Sequence, residues 1–443
     1  MKQINGVRWA KLGLAVTASL VLLTFLFAGI SSNETVTGFI EVLIFFYLIL
    51  VVGRALFFFA GTFLQKLESS RLDRSSQRNP LRPLVTIIMP CFNEQKVVEV
   101  SLQSLLKLEY HPLEVILVND GSLDLTELIA RNQAQTSLHA AVKVLHQANQ
   151  GKARALNLGL THASGDLILC VDADSRLNPD ALEWGIRHFQ DPQVGAVAGF
   201  VEIANQDNIL LLLQQLEYLV GLNFNRRALS FLGTVPIVPG PAGLFRREAI
   251  LRVGGFLSDR HVFAEDAELS LRLLTQGWKI KTEDQMIAYT EAPADHRSLL
   301  RQRYRWNRGT YQALLVNWFP LVRSGWRGRG VAGYLFLETV VTPVLNFGLI
   351  LFFLSYYFRT GEQGMFTFWY FYLLGVDVLT STLATFRHGG FFRWWALTLF
   401  NKVYYFYMLL TWRLFALYDE WFSTEMGWDK LERQKDSLRE VSA

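Results

Sequence analysis

The sequence has few of the residues that form disulfides, zinc sites or nucleophile elbows. Only two of its 443 residues are cysteines, Cys91 and Cys170. This excludes a disulfide framework and predicts that both are small core side chains in a reducing compartment. The eight histidines show no H-E-x-x-H or related zinc spacing, and the serines lack a G-x-S-x-G sequence. Zinc hydrolases and serine hydrolases of these types are therefore excluded.

A strong charge of one sign is absent as well. The 43 Lys and Arg residues nearly balance the 39 Asp and Glu residues, so the net charge is only +4. The composition therefore does not indicate a nucleic-acid partner. Hydrophobic residues, in contrast, make up 51% of the chain, and the mean hydropathy is +0.20. These values predict helices that span a membrane.

Long apolar runs stand at both ends of the chain. They cover about 12–30, 38–63, 331–358, 365–386 and 394–418. The first is too long for a signal-peptide core, so it is expected to be retained. Lys402 and Arg413 interrupt the last, which is expected to lie partly in the interface or to line a cavity. Basic residues precede the first run and follow the second, so the positive-inside rule places the middle of the chain in the cytoplasm.

The middle of the chain predicts an α/β domain. Strand-like runs at 85–89, 114–118, 143–146 and 167–171 alternate with helix-like runs at 97–106 and 153–163. This alternation predicts a Rossmann-like, mostly parallel sheet covered by helices. The expected parts of the chain are two transmembrane helices (1–65), a cytoplasmic linker (66–83), the α/β domain (84–296), amphipathic interfacial helices (297–330), about three transmembrane helices (331–420) and a polar tail (421–443).

Polar residues follow the predicted strands at the rim where ligands bind in such sheets. Asn93, Asp120 and Asp172 each come directly after a strand, so they are expected to cluster. Asp172 and Asp174 have the spacing at which two carboxylates bind one Mg²⁺ or Mn²⁺, which would neutralise a departing diphosphate. A solvated acidic turn is the alternative. For Asn119–Ser122, a plain turn is the commoner interpretation.

Three further features have a functional and a structural interpretation. Asp266, beside Glu265, is expected to be a general base, although acidic residues also stabilise a helix N-terminus. Lys152 is placed to meet a diphosphate at a helix start, but position 146 lacks the glycine of a Walker A loop. Gln302, Arg305 and Trp306 share one helix face that offers a guanidinium for phosphate. The alternative for that face is an amphipathic helix on the membrane surface.

In this order, the motifs resemble glycosyltransferase family two, and within it the processive membrane synthases of poly-β-1,6-N-acetylglucosamine, cellulose, chitin and hyaluronan. The resemblance is carried by Pro90–Glu94, Asn119–Ser122, Asp172–Asp174, Glu265–Asp266 and Gln302–Trp306. It implies a GT-A-like nucleotide-sugar-binding domain inserted between transmembrane helices. It also implies transfer with inversion at the anomeric carbon and without a covalent enzyme intermediate.

The residues and the resemblance together give an expected site. Asp266 is the expected general base, and Asp174, with Asp172, is the expected metal ligand. The expected donor-binding residues are Asn93, Glu94, Asp120, Lys152, Asp172, Gln302 and Arg305. The expected acceptor-binding residues are Trp306, Gly240, Gly243 and Glu265. For the loop Pro239–Gly243, a tight structural turn is the alternative.

The resemblance implies a multi-pass enzyme of the bacterial inner membrane with its catalytic domain in the cytoplasm. It would polymerise a UDP-sugar, with N-acetylglucosamine preferred, onto a growing polysaccharide and pass the product across the membrane. The alternatives are a cellulose-, hyaluronan- or chitin-like synthase, a non-processive transferase with a lipid acceptor, and a membrane protein with an inactive transferase domain. Membrane lipids are expected neighbours, and a small accessory membrane protein is left open. No appended nucleotide-binding barrel is expected, because few residues follow the last apolar run.

Overall fold

A computed structural model describes residues 2–78, 81–136, 141–257, 263–422 and 424. Within these residues the strands are β1 Val85–Cys91, β2 Leu113–Asp120, β3 Ala141–Gln147, β4 Leu167–Cys170, β5 Ser175–Leu177, β6 Val194–Ile203, β7 Gly243–Arg246 and β8 Lys279–Thr290. The helices of the central domain are α3 Val98–Leu106, α4 Thr126–Thr136, α5 Lys152–His162, α6 Ala181–Ile186, α7 Ile209–Glu217, α8 Asn225–Leu232, α9 Arg247–Arg252 and α10 Glu265–Thr275.

The remaining helices flank the central domain. They are α1 Lys2–Ile30, α2 Glu34–Arg78, α11 His296–Arg323, α12 Trp326–Phe336, α13 Thr342–Thr360, α14 Gly364–Ala384, α15 Phe391–Phe400 and α16 Phe406–Trp421. Three π-helical segments, Tyr218–Phe224, Leu337–Val341 and Asn401–Tyr405, join α7 to α8, α12 to α13 and α15 to α16. Short 3₁₀ turns lie at Arg187–Gln190, Gly240–Ala242 and Phe386–His388.

The eight strands form one sheet in the order β3-β2-β1-β4-β7-β6-β8-β5. The strands β3, β2, β1 and β4 are parallel, with Val85 of β1 opposite Leu113 of β2 and Leu167 of β4. β7 is antiparallel to both β4 and β6, and β8 is parallel to β6 but antiparallel to β5. The predicted α/β fold is therefore confirmed, and its sheet is mixed.

Both faces of the parallel half of the sheet are covered, which explains its continuous apolar strands. Side chains of β1 alternate between two cores. Ile88 packs with Leu156 and Leu160 of α5 on one face. Ile87 packs with Leu102 and Leu105 of α3 on the other. All carboxyl ends of the parallel strands consequently meet at one rim, where the polar motifs lie.

Within the described residues, four helical segments are long and apolar enough to cross a membrane: Gly13–Ile30, Gly38–Leu72, Trp326–Thr360 and Gly364–Ala384. They correspond to the first four predicted apolar runs. The fifth run forms α15, a π-helical segment and α16, and it is not among the spans found in the described part of the chain. α16 instead packs along α11, and its Arg413 lines the cavity described below.

The predicted linker is mostly helical in the structure. The segment 66–83, expected to be a linker, is helical as far as Arg78, since α2 continues without a break. Lys, Glu, Arg and Gln residues are frequent in this segment and favour helix. A polar composition is therefore compatible with the helical structure seen here. The predicted tail lies outside the described residues beyond position 424.

Candidate active site

A cavity of about 430 Å³ lies where the carboxyl ends of the strands meet α10 and α11. Nine of the predicted site residues line it: Lys152, Asp172, Asp174, Gly240, Glu265, Asp266, Gln302, Arg305 and Trp306. They come from five separate segments of the chain. The fold therefore brings together in one cavity motifs that are far apart along the sequence.

Lys152 connects two of the acidic motifs. As the first residue of α5, it places its Nζ 2.6 Å from Asp172 Oδ1 and 2.9 Å from Glu265 Oε1. Burial lowers the pKa of Lys152, but the carboxylates of Asp172, Glu265 and Asp266 outweigh that effect and hold it well above its ordinary value. Lys152 is therefore a permanent cation that joins the end of β4 to the start of α10.

Asp266 lies in the first turn of α10, where the Ala267 backbone N–H donates to its Oδ1 at 2.7 Å. Burial, followed by the neighbouring Glu265 carboxylate, raises the pKa of Asp266 to about 6, although Lys152 acts in the opposite direction. A carboxylate with a pKa close to neutral pH is suited to accept a proton from a substrate hydroxyl. The helix-stabilising interpretation applies here too, because a helix N-terminus favours negative charge.

Gly240 begins the 3₁₀ turn that leads into β7. A Cβ atom at this position would lie 2.9 Å from Lys152 Nζ and 3.0 Å from Asp172 Oδ2. Only glycine thus leaves the ion pair undisturbed. Gly243 has different surroundings, because a Cβ atom there would lie 2.7 Å from the Phe245 ring and 3.1 Å from Val238. It lies in the packed interior and is not among the described residues lining the cavity.

Asp120 shapes the turn that precedes α5. Its Oδ1 accepts hydrogen bonds from Gln147 Nε2 at 2.6 Å and the Gln150 backbone N–H at 2.9 Å, and its Oδ2 accepts from the Gly151 N–H at 2.9 Å. These bonds fix the turn that presents Lys152. Sequence reasoning assigned Asp120 to the donor only, and the structure adds this positioning role.

Asn93 and Glu94 lie beside Asp120, at the carboxyl end of β1. Asn93 has a left-handed backbone with φ of 53°, and its Oδ1 accepts from the Leu123 N–H at 2.8 Å. The Glu94 N–H donates to Thr126 Oγ1 at 2.7 Å. The three residues form a neighbouring section of the rim, and none is among the described residues lining the cavity.

The helix α11 carries Gln302, Arg305 and Trp306 to the opposite wall. The unpredicted Arg303 lies among them, with its Nη2 2.8 Å from Glu217 Oε2 and its guanidinium 4.3 Å from the centre of the Trp306 ring. Tyr405 donates a hydrogen bond of 2.6 Å to the same Glu217 oxygen. This network holds the ring of Trp306, which is 38% exposed, against the cavity.

Sequence reasoning quoted Arg303 only as part of the motif Gln302–Trp306 and gave it no role, and it did not single out Glu217 or Tyr405. Glu217 is 86 residues from Arg303 and 188 residues from Tyr405 along the chain, so spacing carries no signal. Arg413 could be singled out from the sequence, because it is a charged residue within an apolar run. No sequence feature singled out Arg226, although it also lines the cavity.

Comparison with known proteins finds one matching family model and two similar proteins. Residues 86–254 match the family model of Glycosyl transferase family 2. Over 242 residues the chain is 34% identical to the poly-beta-1,6-N-acetyl-D-glucosamine synthase of Staphylococcus aureus strain COL, covering 54% of this chain and 58% of that protein. Over 241 residues it is 32% identical to the synthase of the same name from Staphylococcus epidermidis strain ATCC 35984, with the same coverage. The match thus spans somewhat more than half the length of these relatives.

A solved structure is similar over more of the chain. It is the mannosyltransferase PcManGT from Pyrobaculum calidifontis in complex with GDP-Man and Mn²⁺. The TM-score is 0.55 and the identity 22%, and the alignment covers 84% of this chain and 99% of the other. At this identity the similarity concerns the fold alone, and that fold is the GT-A-like arrangement expected from the sequence.

Proposed function

We propose that this chain, which carries a glycosyltransferase family 2 domain over residues 86–254, transfers sugars from a nucleotide sugar to the end of a growing polysaccharide. The proposed donor is UDP-N-acetylglucosamine and the proposed product is poly-β-1,6-N-acetylglucosamine, as the names of the staphylococcal relatives suggest. The observation that carries the proposal is the single cavity shared by the Asp172/Asp174 pair, Asp266 and the face of α11 that bears Trp306.

In the proposed reaction, Asp266 accepts the proton of an acceptor hydroxyl. The hydroxyl oxygen forms a bond to the anomeric carbon while the bond from that carbon to the donor phosphate breaks, and the nucleoside diphosphate leaves. One displacement of this kind inverts the anomeric configuration. The raised pKa of Asp266 makes it a stronger base than an exposed aspartate.

The leaving diphosphate would be held by Gln302, Arg305 and Lys152, which supply an amide and two cations. Asp174, with Asp172, would hold Mg²⁺ or Mn²⁺, and the metal when bound would neutralise the diphosphate. The described residues contain no group of three or more acidic, His or Cys side chains arranged for a metal. Two carboxylates nevertheless fit these ions, which commonly take their remaining ligands from substrate phosphates and water.

The acceptor would end at Trp306, whose exposed ring offers a flat surface to a sugar. From there the cavity extends to Thr339 in the span Trp326–Thr360 and to Arg413 in α16. A chain that grows at the cavity would therefore pass towards the membrane helices. This geometry supports the proposal of a processive enzyme of the bacterial inner membrane that exports its product.

Replacing Gly240 with alanine should lower the rate of transfer by up to about 100-fold, which is the cost of displacing a site group by about 1 Å. The added methyl would lie 2.9 Å from Lys152 Nζ and 3.0 Å from Asp172 Oδ2, so at least one of these groups must shift. Initial rates of nucleotide release measure the effect. Gly375→Ala is the matched control, because a Cβ atom at Gly375 meets nothing within 4 Å, and its rate should equal that of the wild type. An unaffected Gly240→Ala enzyme would show that the ion pair does not order the site.

A screen of UDP-sugars with membrane vesicles containing the chain tests the proposed donor and product. Labelled sugar should enter polymer from UDP-N-acetylglucosamine and from no other UDP-sugar at a comparable rate. A hydrolase specific for β-1,6-linked N-acetylglucosamine should then degrade the product. Incorporation from UDP-glucose into a cellulase-sensitive product would contradict the donor assignment and favour a glucan synthase.

A further inference from the structure

Arg226 is a buried arginine in the wall of the cavity that the proposed reaction leaves without a role. It lies in the second position of α8 and is only 7% exposed. Its Nη1 is buried and has no hydrogen-bond partner among the described residues. Arg303, in the same cavity, is by contrast fully paired with Glu217. Arg226 is thus a buried cation in the cavity wall with one donor that has no partner among the described residues.

The surroundings of Arg226 include the proposed base and membrane helices. Its charged and phenolic neighbours are Asp266, Tyr334 and Tyr218. Tyr334 belongs to α12, within the span Trp326–Thr360. α8 also packs directly on α2, where a Cβ atom at Gly61 would lie 2.7 Å from that of Ala228. Arg226 therefore lies near Asp266 and also near helices that contain candidate membrane spans.

A buried guanidinium without a carboxylate partner is costly for the folded protein. Burial lowers the pKa of Arg226 to about 10, with Asp266 acting in the opposite direction, so the group is still charged at neutral pH. Unsatisfied charges of this kind are retained in binding cavities, where a ligand supplies the missing acceptors. The ligand must present acceptors such as oxygen atoms, because a guanidinium only donates hydrogen bonds.

We infer that Arg226 is an acceptor-binding residue, which donates hydrogen bonds to oxygens of the terminal sugar of the polysaccharide and so seats its hydroxyl against Asp266. The inference rests on the proposed function. Sugar hydroxyls and acetamido carbonyls are neutral acceptors that match the several donors of a guanidinium. The donor diphosphate is the other source of oxygen acceptors, but its proposed ligands are Lys152, Gln302 and Arg305. Arg226 lines the same cavity as Trp306, Thr339 and Arg413, along which the acceptor would leave.

The test uses the full chain in lipid nanodiscs with UDP-N-acetylglucosamine and an N-acetylglucosamine pentamer as acceptor. Arg226→Met removes both the hydrogen-bond donors and the charge. Arg226→Lys keeps the charge but loses the planar set of guanidinium N–H donors. Arg252→Gln, which changes an exposed arginine on α9, is the control. The Michaelis constants for pentamer and donor are measured separately, together with the thermal midpoint of unfolding.

For Arg226→Met we expect a roughly 10- to 100-fold higher KM for the pentamer, the effect of losing a hydrogen bond from a charged group. The KM for the donor should stay within about twofold of the wild type. The unfolding midpoint should be no lower, because an unpaired buried charge is removed. Arg226→Lys should lie between Arg226→Met and the wild type, and Arg252→Gln should match the wild type in all three measurements.

If the wild type is active, any one of three results would overturn the inference. They are an unchanged pentamer KM in both variants, a rise of the donor KM equal to that of the pentamer, and a lower unfolding midpoint in both variants without a selective effect on the pentamer. The second result would assign Arg226 to the diphosphate and the third to the fold. A wild type that uses no UDP-sugar would instead refute the proposed function itself.

Discussion

Replacing Asp266 with asparagine should reduce the rate of sugar transfer by about 10²- to 10⁴-fold, the usual contribution of a general base. Asparagine has nearly the same shape and can accept the Ala267 N–H bond that now reaches Asp266 Oδ1. It cannot take up a proton at neutral pH. The loss should therefore fall on the turnover number, while the KM for the donor stays close to that of the wild type.

The pH profile gives the same prediction a second readout. A base acts only when it is deprotonated, so the wild-type rate should rise with pH through the raised pKa of Asp266, at about 6. Burial, Glu265 and Asp172 raise the pKa of Asp266, whereas Lys152 and the hydrogen bond from the Ala267 N–H lower it. The residual rate of Asp266→Asn should not show this rise.

Asp207→Asn is the matched control for Asp266, because Asp207 is exposed. Both the rate and the pH profile of this variant should equal those of the wild type. If Asp266→Asn keeps the full wild-type rate, another group takes the proton, and Glu265 would be the first candidate.

Removal of divalent metal with EDTA should abolish transfer, and added Mg²⁺ or Mn²⁺ should restore it. The metal would neutralise the diphosphate as it leaves, a contribution of several kcal/mol, or roughly 10³-fold in rate. Asp174→Asn should raise the metal concentration needed for half-maximal rate, since one of the two proposed carboxylate ligands is lost. Asp207→Asn should need the same metal concentration as the wild type.

Metal titrations of nucleotide release measure both effects. An enzyme that keeps its full rate in EDTA would contradict the metal assignment. In that case Lys152 and Arg305 would have to neutralise the diphosphate by themselves. An Asp174→Asn variant with an unchanged metal titration would exclude Asp174 as a ligand.

The parallel half of the fold could be predicted because each strand is a short apolar run that ends in a polar turn. β1, β2, β3 and β4 all follow this pattern. β7 could not be predicted in this way. It is four residues long, and its place between β4 and β6 depends on pairing with strands that are far away in the sequence. Its antiparallel direction is what makes the sheet mixed.

The acidic parts of the site were predictable for a related reason. Asp172 and Asp174 follow a buried strand and Asp266 opens a helix, so local sequence places them. The network around Trp306 has no local signal, because Arg303, Glu217 and Tyr405 come together only when α7, α11 and the segment before α16 pack. Arg226 likewise becomes notable only through its burial.

The product of the purified chain tests the central claim most directly. With labelled UDP-N-acetylglucosamine in nanodiscs, the proposed polymerising site predicts a ladder of products with many sugars each, seen by gel electrophoresis and mass spectrometry. Asp266→Asn should give no ladder under the same conditions. Addition of one sugar to a lipid or other acceptor, with no longer product at any time, would contradict the claim and identify a non-processive transferase.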